Sequence, residues 1–252
     1  MNRIVEFIRG FAERMAEEIV PAAHGRALLV PSLPRVFYAN HFSVDPGAKV
    51  SAAEIVEELE PTFTAAGLAH RSVSIDDGLG GEVASQFARL GWQVEELLVM
   101  PHDGPTPDVD ISAVTEVGWR DLEPYWAAGM RSSPEITDED EVRQLVAGQV
   151  RRQVAVDVRY FAARQDGEIT SYCELFSDGK TGQIESVMTL EPFRNRGFAK
   201  AVVVRALAES RSAGNDLTFL MAEAADWPKE LYRKLGFETE FSVWDFLLRP
   251  PS

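Results

Sequence analysis

A single cysteine, Cys173, in 252 residues excludes an intrachain disulfide and makes the reducing cytoplasm the expected setting. In the context SYCELF no neighbouring group would ionise it, so it reads as a core residue before it reads as a nucleophile. Long apolar runs are also missing. No stretch approaches the roughly 20 uncharged apolar residues of a membrane span. The opening MNRIVEFIRGFAERMAEEIV is interrupted by charge every few residues, which argues against a signal peptide. There Ile4, Phe7, Ile8, Phe11, Met15 and Ile19 recur at helical spacing, predicting an amphipathic helix packed on a core. Glu6, Glu13, Glu17 and Glu18 on its polar face would be repelled by anionic lipid, so no membrane partner is expected. Histidines are few, and His24, His41, His70 and His102 never stand at i, i+4, so no spacing argues for a metal. Basic charge is short as well: 25 Lys and Arg against 40 Asp and Glu leave a net −15. A chain so acidic repels a phosphodiester backbone, so nucleic acid is not the expected partner. That scarcity makes the grouping of Arg194, Arg196, Lys200 and Arg205 informative.

What is present is 45% apolar residues, enough for one large core or two ordinary ones. Residues 101 to 110, PHDGPTPDVD, are rich in proline and aspartate and poor in apolar side chains, the composition of a linker. The chain is therefore expected to form two α/β domains, 1–105 and 106–252. In the second, AVTEV (113–117) reads as a strand and WRDLEPYWAAGM as a helix. TDEDEVRQLVAGQVRRQV reads as a helix opened by Thr137 with an acidic first turn. DVRYFAAR, ITSYCELF and QIESVMTL read as three strands joined by the hairpin-length turns QDGE and SDGKTG. A helix from about 197 to 213, the buried strand LTFLMA, the short helix in WPKELYRKLGF ended by Gly236, and the strand ETEFSVWDFLL complete it.

The first half contains a helix after Ser51 (AAEIVEELEPTFTAAG) and the strand HRSVSI, and it ends in a similar figure. VASQFARLGWQVEELLVM (83–100) lies on KELYRKLGFETEFSVWDF (229–246) without a gap: Phe87 on Tyr232, Leu90 on Leu235, Gly91 on Gly236, Trp92 on Phe237. Helix, glycine stop, aromatic and strand thus occur twice, which hints at tandem related domains. The plain alternative is that such a figure is common in any α/β protein.

Chemistry concentrates at EPFRNRGFAKAV (191–202), a strand–turn–helix junction. Backbone N–H groups at a helix start suit an anion, Gly197 lets the backbone come close, Ala199 is small, and Arg194 and Arg196 add charge suited to a pyrophosphate. An ordinary charged surface turn is the bland alternative. The other phosphate-loop candidates fail. In DGKT (178–181) the P-loop pattern would need glycine at 174, which is Glu174, so the segment is a hairpin turn. DDGLGGEVA (76–84) lacks the dinucleotide-binding spacing.

Arg194-Asn195-Arg196-Gly197-Phe198-Ala199 resembles the R/Q-x-x-G-x-G/A signature of the GNAT superfamily of acyl-CoA-dependent N-acyltransferases. The preceding strand, the long helix after it and the LYRKLGF ending strengthen the resemblance, which covers about 110–248. It implies a mixed, mostly antiparallel sheet flanked by helices in each half, splayed in the second. It implies that main-chain groups of Val187, Met188 and Thr189 pair with a pantetheine arm. The amides of Arg194, Asn195, Arg196, Gly197, Phe198, Ala199 and Lys200 would hold the CoA pyrophosphate. Tyr232 matches the family's general acid, though a tyrosine on an amphipathic helix is also common packing. Where many members carry an asparagine, this chain has Ala225, with Asp226 beside it as a contact to the CoA arm or a helix cap. For the general base Glu185 stands first, taken in phase with Val187 and Thr189, and Glu174 second. The first half has Phe87 at the tyrosine position and no signature, a degenerate copy that would shape the acceptor pocket. The expected activity is acyl transfer from acetyl-CoA, or another acyl-CoA, to a primary amine of a small molecule or peptide, without a metal. An acidic surface would favour cationic acceptors. The alternatives are an acyl-CoA or metabolite sensor that transfers nothing and a scaffold with a vestigial fold. The acceptor, the acyl chain length and the oligomeric state stay open, a homodimer included.

Overall fold

In chain order the computed structural model, which describes residues 2–136 and 138–250, begins with α1 (Arg3–Met15), β1 (Glu18–Pro21), β2 (Gly25–Leu29) and β3 (His41–Val44). It continues with α2 (Ala52–Ala65), β4 (Arg71–Ile75), α3 (Leu79–Arg89), β5 (Gln93–Pro101), β6 (Val114–Val117), α4 (Trp119–Ser132) and α5 (Glu139–Arg151). The remaining elements are β7 (Asp157–Gln165), β8 (Glu168–Ser177), β9 (Thr181–Thr189), α6 (Phe198–Ser212), β10 (Leu217–Glu223), α7 (Pro228–Lys234) and β11 (Phe241–Leu248). All elements expected after residue 110 are present. The opening helix stops at Met15, short of Ile19, because Glu18–Pro21 pairs antiparallel with β2 and leaves Ile19 exposed on a strand. Thr137 lies outside the described residues; Asp138 caps α5, its carboxylate accepting the Glu141 amide at 2.9 Å. Among the described residues no helix is long and apolar enough to cross a membrane.

By proximity the chain divides into two units, and the boundary is not a single cut at residue 105. One unit holds residues 2–7, 98–125 and 156–240; the other holds 8–97, 126–155 and 241–250. The reason is strand placement. The strand that follows α7, β11, pairs antiparallel with β4 (Trp244↔Ile75, Phe246↔Val73) and so completes the N-terminal unit. The last residues of β5 neighbour β10 in the C-terminal unit, and His102, just after it, donates its amide to the Thr218 carbonyl (2.9 Å). The linker-like segment after β5 therefore belongs to the C-terminal unit, with Val109 and Ile111 packed on its core.

In the C-terminal unit the strands run in the order β5, β10, β9, β8, β7, β6, antiparallel from β6 to β9 and parallel between β9 and β10. Asp166 and Gly167 both take positive φ (52° and 87°), the two-residue turn whose twist suits a hairpin. Asp178 accepts the amides of Lys180 (3.0 Å) and Thr181 (2.8 Å), so the GKT stretch is a hairpin turn and no phosphate loop. The core forms where Val202, Val203, Ala206 and Leu207 of α6 meet Cys173, Leu175, Ile184 and Leu220 of the sheet. Each such buried aliphatic is worth about 1.5–3 kcal/mol.

In the N-terminal unit β1, β2 and β3 are antiparallel, β3 and β4 are parallel, and α2 connects that parallel pair. Ile55, Leu59 and Phe63 of α2 and Val83 and Phe87 of α3 fill its core with Phe42, Val73 and Phe246. The gap-free match of the two halves holds at the hydrogen bonds. The Trp92 amide reaches the Phe87 carbonyl at 3.1 Å, and the Phe237 amide reaches the Tyr232 carbonyl at 3.1 Å. Both helices stop at a glycine of positive φ, Gly91 (83°) and Gly236 (86°).

Candidate active site

The C-terminal unit opens where β9 and β10 part. Their parallel pairing ends at Ile184↔Leu220, although β9 runs on to Thr189 and β10 to Glu223. A bulge in β9 accompanies the parting. Glu174 opposes Glu185 and Tyr172 opposes Met188, so Ser186 and Val187 together face the single residue Cys173. Ser186 takes φ 53° to allow it.

The bulge corrects the expected phase of Glu185. Side chains directly opposite in an antiparallel pair share a face, so Glu185 lies with Met188, Tyr172 and the buried Glu174. Val187 turns to the other face and packs against the cluster around α6. The bulge also separates the peptides expected to act together. The Leu190 amide donates to the Thr170 carbonyl (2.9 Å) and the Met188 carbonyl accepts from Ser171 Oγ (2.7 Å), so these residues turn their backbone toward β8. Alternate residues point the opposite way, which leaves Val187 and Thr189 facing the edge that β10 has left. Met188 is thus not a main-chain partner on that edge; its side chain is 42% exposed.

Beyond β9 the chain turns at Asn195 (φ 61°) and Gly197 (φ 89°), and α6 begins with no side-chain cap. The first intrahelical bond runs from Ala201 N to Gly197 O (3.1 Å), so the amides of Phe198, Ala199 and Lys200 precede it. A Cβ on Gly197 would meet nothing within 4 Å, so the space over this turn is open. The guanidinium of Arg196 lies 5.6 Å from the Phe193 ring and 5.5 Å from the Phe198 ring, and it donates to Gln165 Oε1 at 2.7 Å. Arg194 Nε reaches Thr189 O at 3.4 Å. Arg205 leaves the expected basic group, being paired with Glu209 at 2.8 Å. Among the described residues no salt bridge holds Arg194, Arg196 or Lys200.

Tyr232, on α7, is buried in the cluster that contains Cys173, Val202 and Leu220, against which Val187 and Phe198 also pack. Burial, then the charge of Glu185, then Cys173 and Asp226, push its phenol above the ordinary tyrosine value, so it keeps its proton. The Glu185 carboxylate accepts from Gln183 Nε2 (2.6 Å) and from the Ser186 amide (3.3 Å). Glu174 is fully buried and pushes the neighbouring Tyr172 phenol, already raised by burial, up to about 12. Asp226 Oδ1 takes the Trp227 amide at 2.7 Å at the start of α7, and both Asp226 and Ala225 are exposed. Cys173 is buried, its Sγ donates to Val202 O (3.3 Å), and burial raises its thiol, so it is a core residue. The structure therefore places Tyr232, Val187 and Phe198 at the α6 start in one cluster, with the charge of Glu185 felt by the phenol from the other phase of β9. Sequence reasoning missed Ser186 and Ser171, since no glycine or asparagine marks the bulge.

Residues 163–244, from the end of β7 into β11, match the family model described as FR47-like protein. Among solved structures, a conserved protein of unknown function from Staphylococcus epidermidis superposes with a TM-score of 0.72 over 94% of this chain and 95% of its own, at 15% identity. A GCN5-related N-acetyltransferase from Kribbella flavida gives 0.68 over 99% and 95%, at 18% identity. The fold is that of the GNAT superfamily. A tandem GNAT protein from the clavulanic acid biosynthesis pathway gives 0.56 over 91% of this chain and 80% of its own, at 14% identity. No curated protein matches the sequence.

Proposed function

We propose that the chain is an N-acyltransferase that moves an acyl group, acetyl from acetyl-CoA in the simplest case, directly to a primary amine. The observation that carries this reading is the parting of β9 from β10, which turns the backbone of Val187 and Thr189 to an open strand edge. An extended amide-bearing arm of CoA can add to that edge as a further strand. The edge leads into the turn at Asn195 and Gly197, where the uncapped amides of α6 with Arg194, Arg196 and Lys200 suit a pyrophosphate. Glu185 takes a proton from the acceptor ammonium, directly or through water. The amine then forms the N–C bond as the C–S bond breaks, Tyr232 gives its proton to the departing thiolate, and the second proton that the nitrogen sheds on becoming an amide returns through water to the Tyr232 phenolate. The N-terminal unit holds Phe87 where Tyr232 stands and so has no phenol to donate.

The test is thiol release from acetyl-CoA across a panel of primary amines, with CoA-induced thermal stabilisation measured in parallel. Amine-dependent release above hydrolysis is expected. A second reading, binding without transfer, has one point in its favour: Ala225 stands where many members carry an asparagine. Tight CoA binding with no amine-dependent release would favour it, and no CoA-dependent thermal shift would sink both readings.

A further inference from the structure

The segment after β5 carries an imidazole that acyl transfer leaves unused. His102 is buried (4% exposed), and both ring nitrogens are engaged. Nε2 lies 2.8 Å from the carbonyl oxygen of Leu235, which closes α7, and Nδ1 lies 3.0 Å from Arg211 Nη2 in the last turn of α6. A carbonyl only accepts and a guanidinium only donates, so the ring is neutral with its proton on Nε2. Arg211 is itself fixed by the Gly104 carbonyl (2.7 Å) and Thr106 Oγ1 (2.9 Å). The imidazole stands edge-on to Phe237, 4.8 Å between centroids, and Phe237 stands 6.4 Å from the Tyr232 ring. Gly236 makes the room: besides its positive φ, a Cβ there would sit 3.1 Å from His102 Nε2.

We propose that His102 is a positioning residue for Tyr232, tying the end of the helix that starts at the Gly197 turn to the end of the helix that bears the phenol. The inference rests on the transferase reading of Tyr232. A helix of seven residues cannot hold its own geometry; the glycine stop returns the Phe237 and Gly236 amides to its Tyr232 and Arg233 carbonyls, and the Leu235 carbonyl that closes it looks to a partner elsewhere in the chain. His102 takes it, and through Arg211 it couples the end of α7 to the last turn of α6, the helix whose first turn follows Gly197. Protonation would place a second N–H donor against Arg211, with Asp103 as the one nearby carboxylate felt by the ring, and would open this clasp. Burial, and after it Arg211, hold the imidazole below its ordinary value, so opening belongs to the acid side of neutrality.

The experiment compares His102→Ala, His102→Gln and Arg211→Met in thiol release from acetyl-CoA as a function of pH, with CoA thermal shifts alongside. His102→Ala should lose about ten- to a hundredfold in kcat while keeping its CoA shift. His102→Gln, whose amide still reaches the Leu235 carbonyl and does not titrate, should recover most of that loss and lack the acid-side fall. Arg211→Met should move that fall toward neutral pH. An unchanged kcat in His102→Ala, an equal loss of CoA affinity, or a wild-type acid limb in His102→Gln would overturn the proposal. If His102→Ala does not fold, the other two variants decide it. If the wild type binds CoA but acylates no amine, the transferase reading falls, and the clasp is judged by ultraviolet titration of the Tyr232 phenol against Tyr232→Phe. A phenol that titrates lower in His102→Ala or in Arg211→Met, and stays at the wild-type value in His102→Gln, supports it; an unmoved phenol in both His102→Ala and Arg211→Met overturns it.

Discussion

The two units share strand, helix, parallel strand, helix, glycine and aromatic in that order, and they differ at each point where chemistry would occur. In the C-terminal unit α6 starts at a left-handed glycine with no side chain over its first amides. In the N-terminal unit α2 starts with a complete capping box: Ser51 Oγ takes the Glu54 amide, and the Glu54 carboxylate returns to the Ser51 amide at 2.8 Å. The helix end that could meet an anion already carries one of its own. The crevice beside it differs in the same sense. Where β9 and β10 part and stay open, the ends of β3 and β4 are bridged by Arg9, which bonds the Val44 carbonyl (2.6 Å) and both oxygens of the buried Asp76. At the helix that follows, Phe87 stacks on Phe246 (4.2 Å), whereas Tyr232 keeps a hydroxyl within the field of Glu185. One framework is thus sealed by side chains in one unit and left open at its strand edge and helix start in the other, and a few side chains decide which.

Substitutions that carry one unit toward the other test this contrast. Tyr232→Phe gives α7 the residue that α3 has. Thiol release should fall about 10²- to 10⁴-fold while the CoA thermal shift is kept, and an active variant would remove the phenol from the mechanism. Arg9→Met unseals the ends of β3 and β4 and strands the buried Asp76 charge. Denaturant unfolding should show a loss of about 3–5 kcal/mol with CoA affinity unaltered, and gain of CoA binding at the N-terminal unit would contradict the reading that this unit lacks a cofactor site. Gly197→Val should cost about 1–3 kcal/mol through the left-handed backbone and abolish the CoA shift, because branched bulk then fills the open turn. Ser51→Ala removes half of the capping box; about 1 kcal/mol of stability and no change in CoA affinity are expected by the same melting assay.

Much of this contrast is legible in the residues themselves. Gly197 between two arginines, the Tyr232-to-Phe237 ending and its echo at Phe87 are local features, and local features follow from backbone and side-chain preference. The bulge escaped notice because a serine, with no conformational mark of its own, holds the left-handed position; Ser186 shifts the phase that simple alternation gives to Glu185. β1, β2 and β3 are four or five residues long, too short for periodicity to stand out. The segment after β5 has the composition of a linker, yet the Arg211 guanidinium fastens it through Gly104 and Thr106, a partner more than 100 residues away that no local pattern reveals. The placement of β11 beside β4 is hidden for the same reason.

That placement also sets an order on synthesis. β4 gains its second neighbour only when Phe241–Leu248 has been made, so Ile75 waits for Trp244 and Val73 for Phe246. The residues of the C-terminal unit, which end at 240, are by then all available to fold. The N-terminal unit is therefore completed by residues that follow every residue of the C-terminal one. Until then the face of Phe87 that stacks on Phe246 lacks that partner, so an incomplete chain exposes an apolar surface that the finished one buries.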